Sequence, residues 1–241
     1  MVRQRADLAL VARGFYPSRA KAQEAIATGL VRVDGEVLAK ASILIDDSKQ
    51  IEAASPYPWV SRGGVKLAAA LEAFDFDPKG CICLDIGAST GGFSDVLLSR
   101  GAEKIYAVDV GRGQLAEKLR KNPRVTSMEA TDARSLSLSQ FAPAPNFVTC
   151  DVSFISLRLV LPKALAFAAP RTKLVALIKP QFEAGPQFVV KGLVKDEAKR
   201  CEVCEAIRKL LQDLGWTVVG LIPSPIEGSD GNREFLVGAT K

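Results

Sequence analysis

Apolar positions in the first fifty residues fall into short groups of different spacing. Leu8, Val11, Ala12 and Phe15 recur at helical intervals, which predicts a first helix broken by Pro17. Ser18 is a good N-cap for a second helix carrying Ala22 and Ile26, and Gly29 can close it in the left-handed region. The stretch LVRVDGEVL then alternates about Asp34-Gly35, a two-residue hairpin signal. ILID and KQIEA add further short strands. Residues 1–54 therefore read as a minimal α+β domain, too small in core to be very stable alone. Residues 55–64, with two prolines and two glycines, read as a linker. Trp59 within it is a candidate to dock between domains or to contact a partner.

From residue 65 the pattern changes. VKLAAALEAF has helical spacing, and CICLDIG is a buried strand ending in glycine. GGFSDVLLSRG, GQLAEKLRK and SLRLVLPKALAFAA read as helices between the strands KIYAVDV, RVTSM, NFVTCD and TKLVALIK. A helix over 196–214 places Val203, Ile207, Leu210, Leu211 and Leu214 on one face. WTVVGLI and REFLVGA end the chain as strands close enough to form an antiparallel pair at one edge. Strands alternating with helices predict a parallel, doubly wound sheet for residues 65–241.

Composition adds bounds. The chain has 241 residues, 48% hydrophobic and 24% charged, as suits a globular protein with a full core. No apolar run approaches the ~18 residues a membrane span needs, and the N-terminus shows no secretion signal. Five cysteines, Cys81, Cys83, Cys150, Cys201 and Cys204, read as reduced core thiols, which points to the cytoplasm. Cys201 and Cys204 make a lone CxxC within a helix, with no second pair and no histidine in the chain, so no metal site is expected. The net charge is +5 and the pI about 9.0. Residues 1–32 concentrate the excess: Arg3, Arg5, Arg13, Arg19, Lys21 and Arg32 stand against Asp7 and Glu24. That is a candidate phosphate-binding face or a solvated helix surface; a phosphate role would give salt-dependent affinity without choosing the nucleotide.

In a doubly wound sheet ligands bind beyond the C-terminal strand ends. After the first strand comes Asp85-Ile-Gly87-Ala88-Ser89-Thr90-Gly91-Gly92-Phe93, a loop whose glycines admit close approach of a ligand. It matches neither GxGxxG nor GxxxxGK[ST]. Asp109 after the next strand can accept from a ribose diol, and Asp132 after the third can meet an adenine edge. This ordered set suits S-adenosylmethionine. Asp151 ends the fourth strand, and Lys179 ends the fifth because Pro180 stops it. Glu234 precedes the last strand and Lys66 lies on the helix before the first. With no histidine, lysine is the residue left to carry a proton near neutral pH.

SRGGVKL, DIGASTGGF, DVSFIS, IKPQFE and NREF are close to motifs of a known family. The C-terminal part resembles the FtsJ-like ribose 2′-O-methyltransferases, whose Lys-Asp-Lys-Glu tetrad is matched in order by Lys66, Asp151, Lys179 and Glu234. SRAKAQEAIATGLVRVDG resembles the S-four-type RNA-binding domain. In this order the two resemble the TlyA or haemolysin-A family of bacterial rRNA cytidine 2′-O-methyltransferases.

The resemblance implies a Rossmann-like α/β methyltransferase sheet behind a small α+β RNA-binding domain. It implies S-adenosylmethionine as cofactor and ribosomal RNA as partner, with the large subunit favoured and a monomeric chain. It makes Asp85, the loop 87–93 (Gly87, Ala88, Ser89, Thr90, Gly91, Gly92, Phe93), Asp109, Asp132 and Phe154 the expected cofactor residues. Phe154 could equally stack on a base or pack in the core. Arg62 joins Arg3, Arg5, Arg13, Arg19 and Lys21 as an expected RNA contact. Lys179 is the expected proton acceptor, tuned by Asp151 and Lys66, with Glu234 positioning the ribose.

Three other readings need different residues. A pore-former needs an amphipathic or spanning segment. A non-catalytic assembly factor has no need of the tetrad. Amino-group methylation usually shows an Asn/Asp-Pro-Pro-aromatic run where this chain has DVSF, and carbon methylation needs a thiol such as Cys150, which lies inside a strand.

Overall fold

A computed structural model describes residues 3–228 and 231–241, with the backbone alone for Phe167. The chain divides into two compact units, 1–58 and 59–241.

The N-terminal unit contains β1 (Gln4–Arg5), α1 (Ala6–Ala12), α2 (Arg19–Ala27), β2 (Val31–Val33), β3 (Glu36–Val37), β4 (Leu44–Ile45) and β5 (Ile51–Ala53). Asp34 and Gly35 both take positive φ, 51° and 83°, as a tight hairpin between β2 and β3 requires. The buried face of α1 differs from the sequence expectation. Ala6, Ala9 and Leu10 enter the core, while Ala12 and Phe15 are exposed. Asp7 explains the shift: its carboxylate is fully buried and turns that side of the helix inward.

The C-terminal unit contains α3 (Gly63–Ala73), β6 (Ile82–Ile86), α4 (Gly92–Ser99), β7 (Lys104–Val108), α5 (Glu117–Arg120), β8 (Val125–Met128), β9 (Phe147–Cys150), α6 (Leu157–Ala164), β10 (Lys173–Ile178), α7 (Pro180–Glu183), α8 (Glu197–Asp213), β11 (Thr217–Pro223) and β12 (Phe235–Thr240). Its seven strands run in the order β11-β12-β10-β9-β6-β7-β8. The five from β10 to β8 are mutually parallel; β12 is antiparallel to both its neighbours. Alternate residues of each strand feed opposite faces, as the pleat dictates. Ile82, Leu84 and Ile86 join one hydrophobic cluster with α6 and α8; Cys83 joins another with α3 and α4. The α/β doubly wound reading is borne out.

Two segments depart from expectation. Trp59 and Val60, read as linker, pack on the cluster beneath α3 and α4, and the Val60 N–H donates to buried Asp95 at 2.8 Å. The helix expected over GQLAEKLRK shrinks to α5, because Glu129 Oε1 takes the N–H groups of Gln114 (2.7 Å) and Leu115 (3.1 Å). β6 meets β9 on one side and β7 on the other, so strand order reverses there and leaves a crevice beyond their C-terminal ends.

Candidate active site

Three loops meet at that crevice. Gly87 (φ 79°) follows β6, and a Cβ there would run into the Asp151 carbonyl, so glycine lets the loops after β6 and β9 touch. Asp151 is thereby set beside Lys179, with Lys179 Nζ 2.6 Å from Asp151 Oδ1. The same Nζ donates to Ser153 Oγ at 2.8 Å. Asp151 Oδ1 is buried, and no donor is aligned on it as a hydrogen bond, so the contact with Lys179 is ionic only. From α3, Lys66 Nζ donates to Glu234 Oε2 at 2.5 Å, with side chains 9% and 3% exposed. All four charged residues line one cavity of about 540 Å³ with Gly87, Ser89 and Phe154.

A second cavity of about 550 Å³ shares Gly87, Ser89, Asp151, Ser153 and Phe154 with the first. It extends to Asp109, Val110 and Asp132. Asp109 Oδ2 accepts from Ser89 N (2.8 Å) and Oδ1 from Gly111 N (2.7 Å). Each oxygen keeps a lone pair for a diol. Val110, 73% exposed, supplies an apolar wall. A nucleoside with a charged amino-acid tail fits this run of apolar wall, carboxylate and glycine loop, and the unaligned Asp151 Oδ1 lies at its far end. Asp109, Val110, Gly87 and Ser89 would hold S-adenosylmethionine there.

Several expected contacts move. Asp85 lines neither cavity. It is fully buried, accepting from Ser94 Oγ (2.6 Å) and Thr149 Oγ1 (2.8 Å), and burial pushes its carboxyl up to about 6. It ties β6 to α4 and β9. Gly91 also turns away; its open side is filled by Leu119 and Leu115. Asp132 lines the second cavity, but Arg134 holds its carboxylate at 2.6 Å and keeps it below the usual carboxylate range. Ala88, Thr90, Gly92 and Phe93 line the first cavity, as does Arg62.

Phe154 is 91% exposed, which removes the core-packing alternative, and takes a left-handed φ of 62°. Its ring centroid lies 5.1 Å from that of Phe182. Cys150 is fully buried with its thiol pushed up by burial, unsuited to nucleophilic attack. Cys204 is buried and pushed up to about 12, whereas Cys201, expected in the core, is exposed. Ser153 and Gln181 were not singled out from sequence, although each sits two residues beyond a tetrad member.

In the N-terminal unit the basic residues are partly engaged at home. Arg5 and Arg19 both donate to Asp7, at 3.0 and 3.2 Å. Arg13 donates to the carbonyls of Asp46 (2.6 Å) and Lys49 (3.0 Å). Lys21 bonds the Tyr57 hydroxyl and stands over its ring. Arg5 and Arg19 nevertheless stay 42% and 56% exposed in their side chains, and Arg3 is exposed.

The crevice, its paired charges and the parallel sheet define an α/β transferase site of the nucleoside-cofactor class. Residues 59–241 match the FtsJ-like methyltransferase family, and the chain belongs to that family, with an S4 domain matched at residues 4–51. Membership makes it a methyltransferase of an S-adenosylmethionine-dependent family. The chain is similar to the 16S/23S rRNA (cytidine-2′-O)-methyltransferase TlyA of Mycobacterium tuberculosis, 44% identical over 98% of this chain and 89% of that one. It is also similar to hemolysin A of Brachyspira hyodysenteriae, 40% identical over 96% and 98% of the two chains. A solved structure of a candidate hemolysin from Streptococcus thermophilus, 40% identical, superposes with a TM-score of 0.79 over 100% of this chain and 89% of that one. Among the described residues no helix is long and apolar enough to cross a membrane.

Proposed function

We propose that this enzyme transfers a methyl group from S-adenosylmethionine to the ribose 2′-oxygen of a cytidine in ribosomal RNA, with Lys179 taking the proton. The observation that carries the reading is the lining of one cavity by Lys66, Asp151, Lys179 and Glu234 beside the glycine loop.

Bound S-adenosylmethionine supplies an electrophilic methyl group. The chain must then hold a ribose hydroxyl in line with it and receive one proton. Lys179 Nζ is held by Asp151 and Ser153 in the first cavity, and it takes the ribose proton as the neutral amine, its ammonium having first released a proton to solvent. Lys66 and Glu234 form a second, more buried pair whose carboxylate can orient the ribose. Phe154 gives a base an exposed face on which to stack. The exposed guanidinium groups of Arg3, Arg5 and Arg19 and the cleft residue Arg62 favour an RNA backbone. A target nucleotide extruded into the cleft would reach the site.

The M. tuberculosis relative is named for both 16S and 23S rRNA, and one from Campylobacter jejuni for 23S alone. The large subunit is the substrate common to both names and the one favoured here. Action on ribosomal subunits favours a place in the cytoplasm, and a cavity whose four charged residues come from one chain favours a monomer.

The test is methyl transfer from labelled S-adenosylmethionine to unmethylated ribosomal subunits, with the modified nucleotide mapped. A 2′-O-methylcytidine in the large subunit is expected. Cofactor binding without transfer to either subunit overturns the reading in favour of a non-catalytic assembly factor.

A further inference from the structure

We propose that Glu183 is a positioning residue for this methyl transfer. Its buried carboxylate clamps the segment after β9, which carries Asp151 and Ser153, to the turn after β10, which carries Lys179. The inference rests on the ribose-methylation reading for its substrate and on the contacts of Glu183 for its geometry.

Glu183 ends α7, the single turn that follows Lys179. Its side chain is 2% exposed and lines neither of the two cavities. One oxygen accepts from Ser156 Oγ at 2.6 Å and the other from the Leu157 N–H at 2.6 Å. Arg158 Nε stands 3.9 Å off, beyond hydrogen-bond reach. Burial pushes the carboxyl up, so the site is a costly place for this charge.

Helix termination accounts for part of that cost, since the Leu157 N–H is one of the unpaired donors at the start of α6. Ser156 already caps α6 by accepting from Arg158 N at 3.1 Å. Glu183 adds a second, distant acceptor from another loop, and what it adds is a tie between loops. Between the tie and the strand end lies Phe154, held at a left-handed φ that non-glycine residues adopt only when their surroundings impose it. Three links cross between the two segments: Lys179 to Asp151 and Ser153, Phe154 to Phe182, and Glu183 to Ser156 and Leu157. The first two face the cavity, where a substrate would disturb them. Glu183 holds the geometry from behind. Reactive groups must be placed to within a fraction of an ångström for efficient transfer, so this clamp acts on the rate step.

The experiment compares Glu183→Ala, Glu183→Gln and the wild-type chain for methyl transfer to ribosomal subunits, for S-adenosylmethionine affinity, and for amide exchange over residues 151–157. Glu183→Ala is expected to lower kcat roughly 100-fold, with KM and cofactor affinity nearly unchanged and faster exchange that reaches back from Leu157, which loses its acceptor, through 151–156. Glutamine can accept from Leu157 and donate to Ser156 Oγ, so Glu183→Gln is expected to recover most of the rate. A Glu183→Ala enzyme with wild-type kcat overturns the proposal, as does a glutamine variant as slow as the alanine one. If the wild-type chain methylates no ribosomal RNA, the substrate reading fails separately. Unchanged exchange over 151–156 in Glu183→Ala then overturns the clamp by itself, and faster exchange there upholds it.

Discussion

Lys66 Nζ and Glu234 Oε2 meet 2.5 Å apart although 168 positions separate them in the chain, and neither side chain is more than 9% exposed. A buried pair of this kind is expensive to break and cheap to replace. Removing one partner leaves the other charge desolvated and alone. Lys66→Ala or Glu234→Ala should each destabilise the C-terminal unit by about 3–5 kcal/mol. The double variant Lys66→Met/Glu234→Leu should cost less than either single change. Denaturant unfolding of the four proteins checks this ranking. All three variants should lack methyl transfer, since both residues line the reaction cavity.

Lys179 poses a different question, because it carries the proton in the proposed reaction. Lys179→Ala should abolish turnover and leave S-adenosylmethionine affinity within roughly threefold, the signature of a group used in the transition state. Ser153→Ala removes one of the two anchors on Nζ and leaves Asp151, so its loss should be smaller, on the order of tenfold. Single-turnover rates with calorimetric cofactor binding separate the two effects. A Lys179→Ala enzyme with near-normal methylation removes the lysine from its role.

The tetrad was legible in the sequence because its members sit where chain topology is punctuated. Asp151 and Lys179 end strands, Glu234 precedes one, and Lys66 follows a double glycine. The pairing was not legible. The sequence placed four charges around one cleft, and only packing decides that Lys179 takes Asp151 while Lys66 takes Glu234. Asp85 looked like a loop acid, but the pleat turns it beneath the sheet end, where Ser94 and Thr149 receive it. In the N-terminal unit, periodicity put Leu8, Val11, Ala12 and Phe15 on the inner face; Val11 does pack on the core, but Ala12 and Phe15 are exposed. A buried Asp7, which apolar counting skips, rotates that face toward Ala6, Ala9 and Leu10.

Asp85 makes the stability of the C-terminal unit depend on pH in an unusual direction. Burial raises its carboxyl to about 6, opposed by the two hydroxyl hydrogen bonds and reinforced by nearby Asp151. An unfolded aspartate titrates near 4. Between about pH 4 and 6 the folded state therefore binds more protons than the unfolded one, and this group's contribution falls as pH rises. At pH 7 it costs roughly 2–3 kcal/mol relative to pH 4. Asparagine can accept one of the two hydroxyl hydrogen bonds and donate in the other. Asp85→Asn should therefore flatten the stability profile over this window and leave pH 7 stability equal or higher. Urea unfolding of both proteins at a series of pH values tests it; parallel profiles would show that Asp85 titrates normally.

Asp7 behaves in the opposite sense. Arg5 holds its carboxyl well below the usual carboxylate range, with Gln23 and Arg19 adding to the effect against the cost of burial. Its oxygens receive Arg5 at 3.0 and 3.1 Å, Gln23 at 2.6 Å and Arg19 at 3.2 Å, so one residue of α1 is fastened to the start of α2. A depressed folded-state value means that this stabilisation is fully present above about pH 4. It is lost as pH falls further, when the unfolded chain takes up the proton first. Asp7→Asn should destabilise the N-terminal unit by about 2 kcal/mol at neutral pH and lose less on acidification than the wild-type chain does. The same change frees two exposed guanidinium groups from an internal anion, so RNA affinity at fixed salt should hold or rise wherever the unit stays folded. Amide exchange of α1 and α2 on either side of pH 4 reads the first effect, and salt-titrated RNA binding reads the second. Wild-type exchange in Asp7→Asn at both pH values would show that the network contributes nothing to the fold.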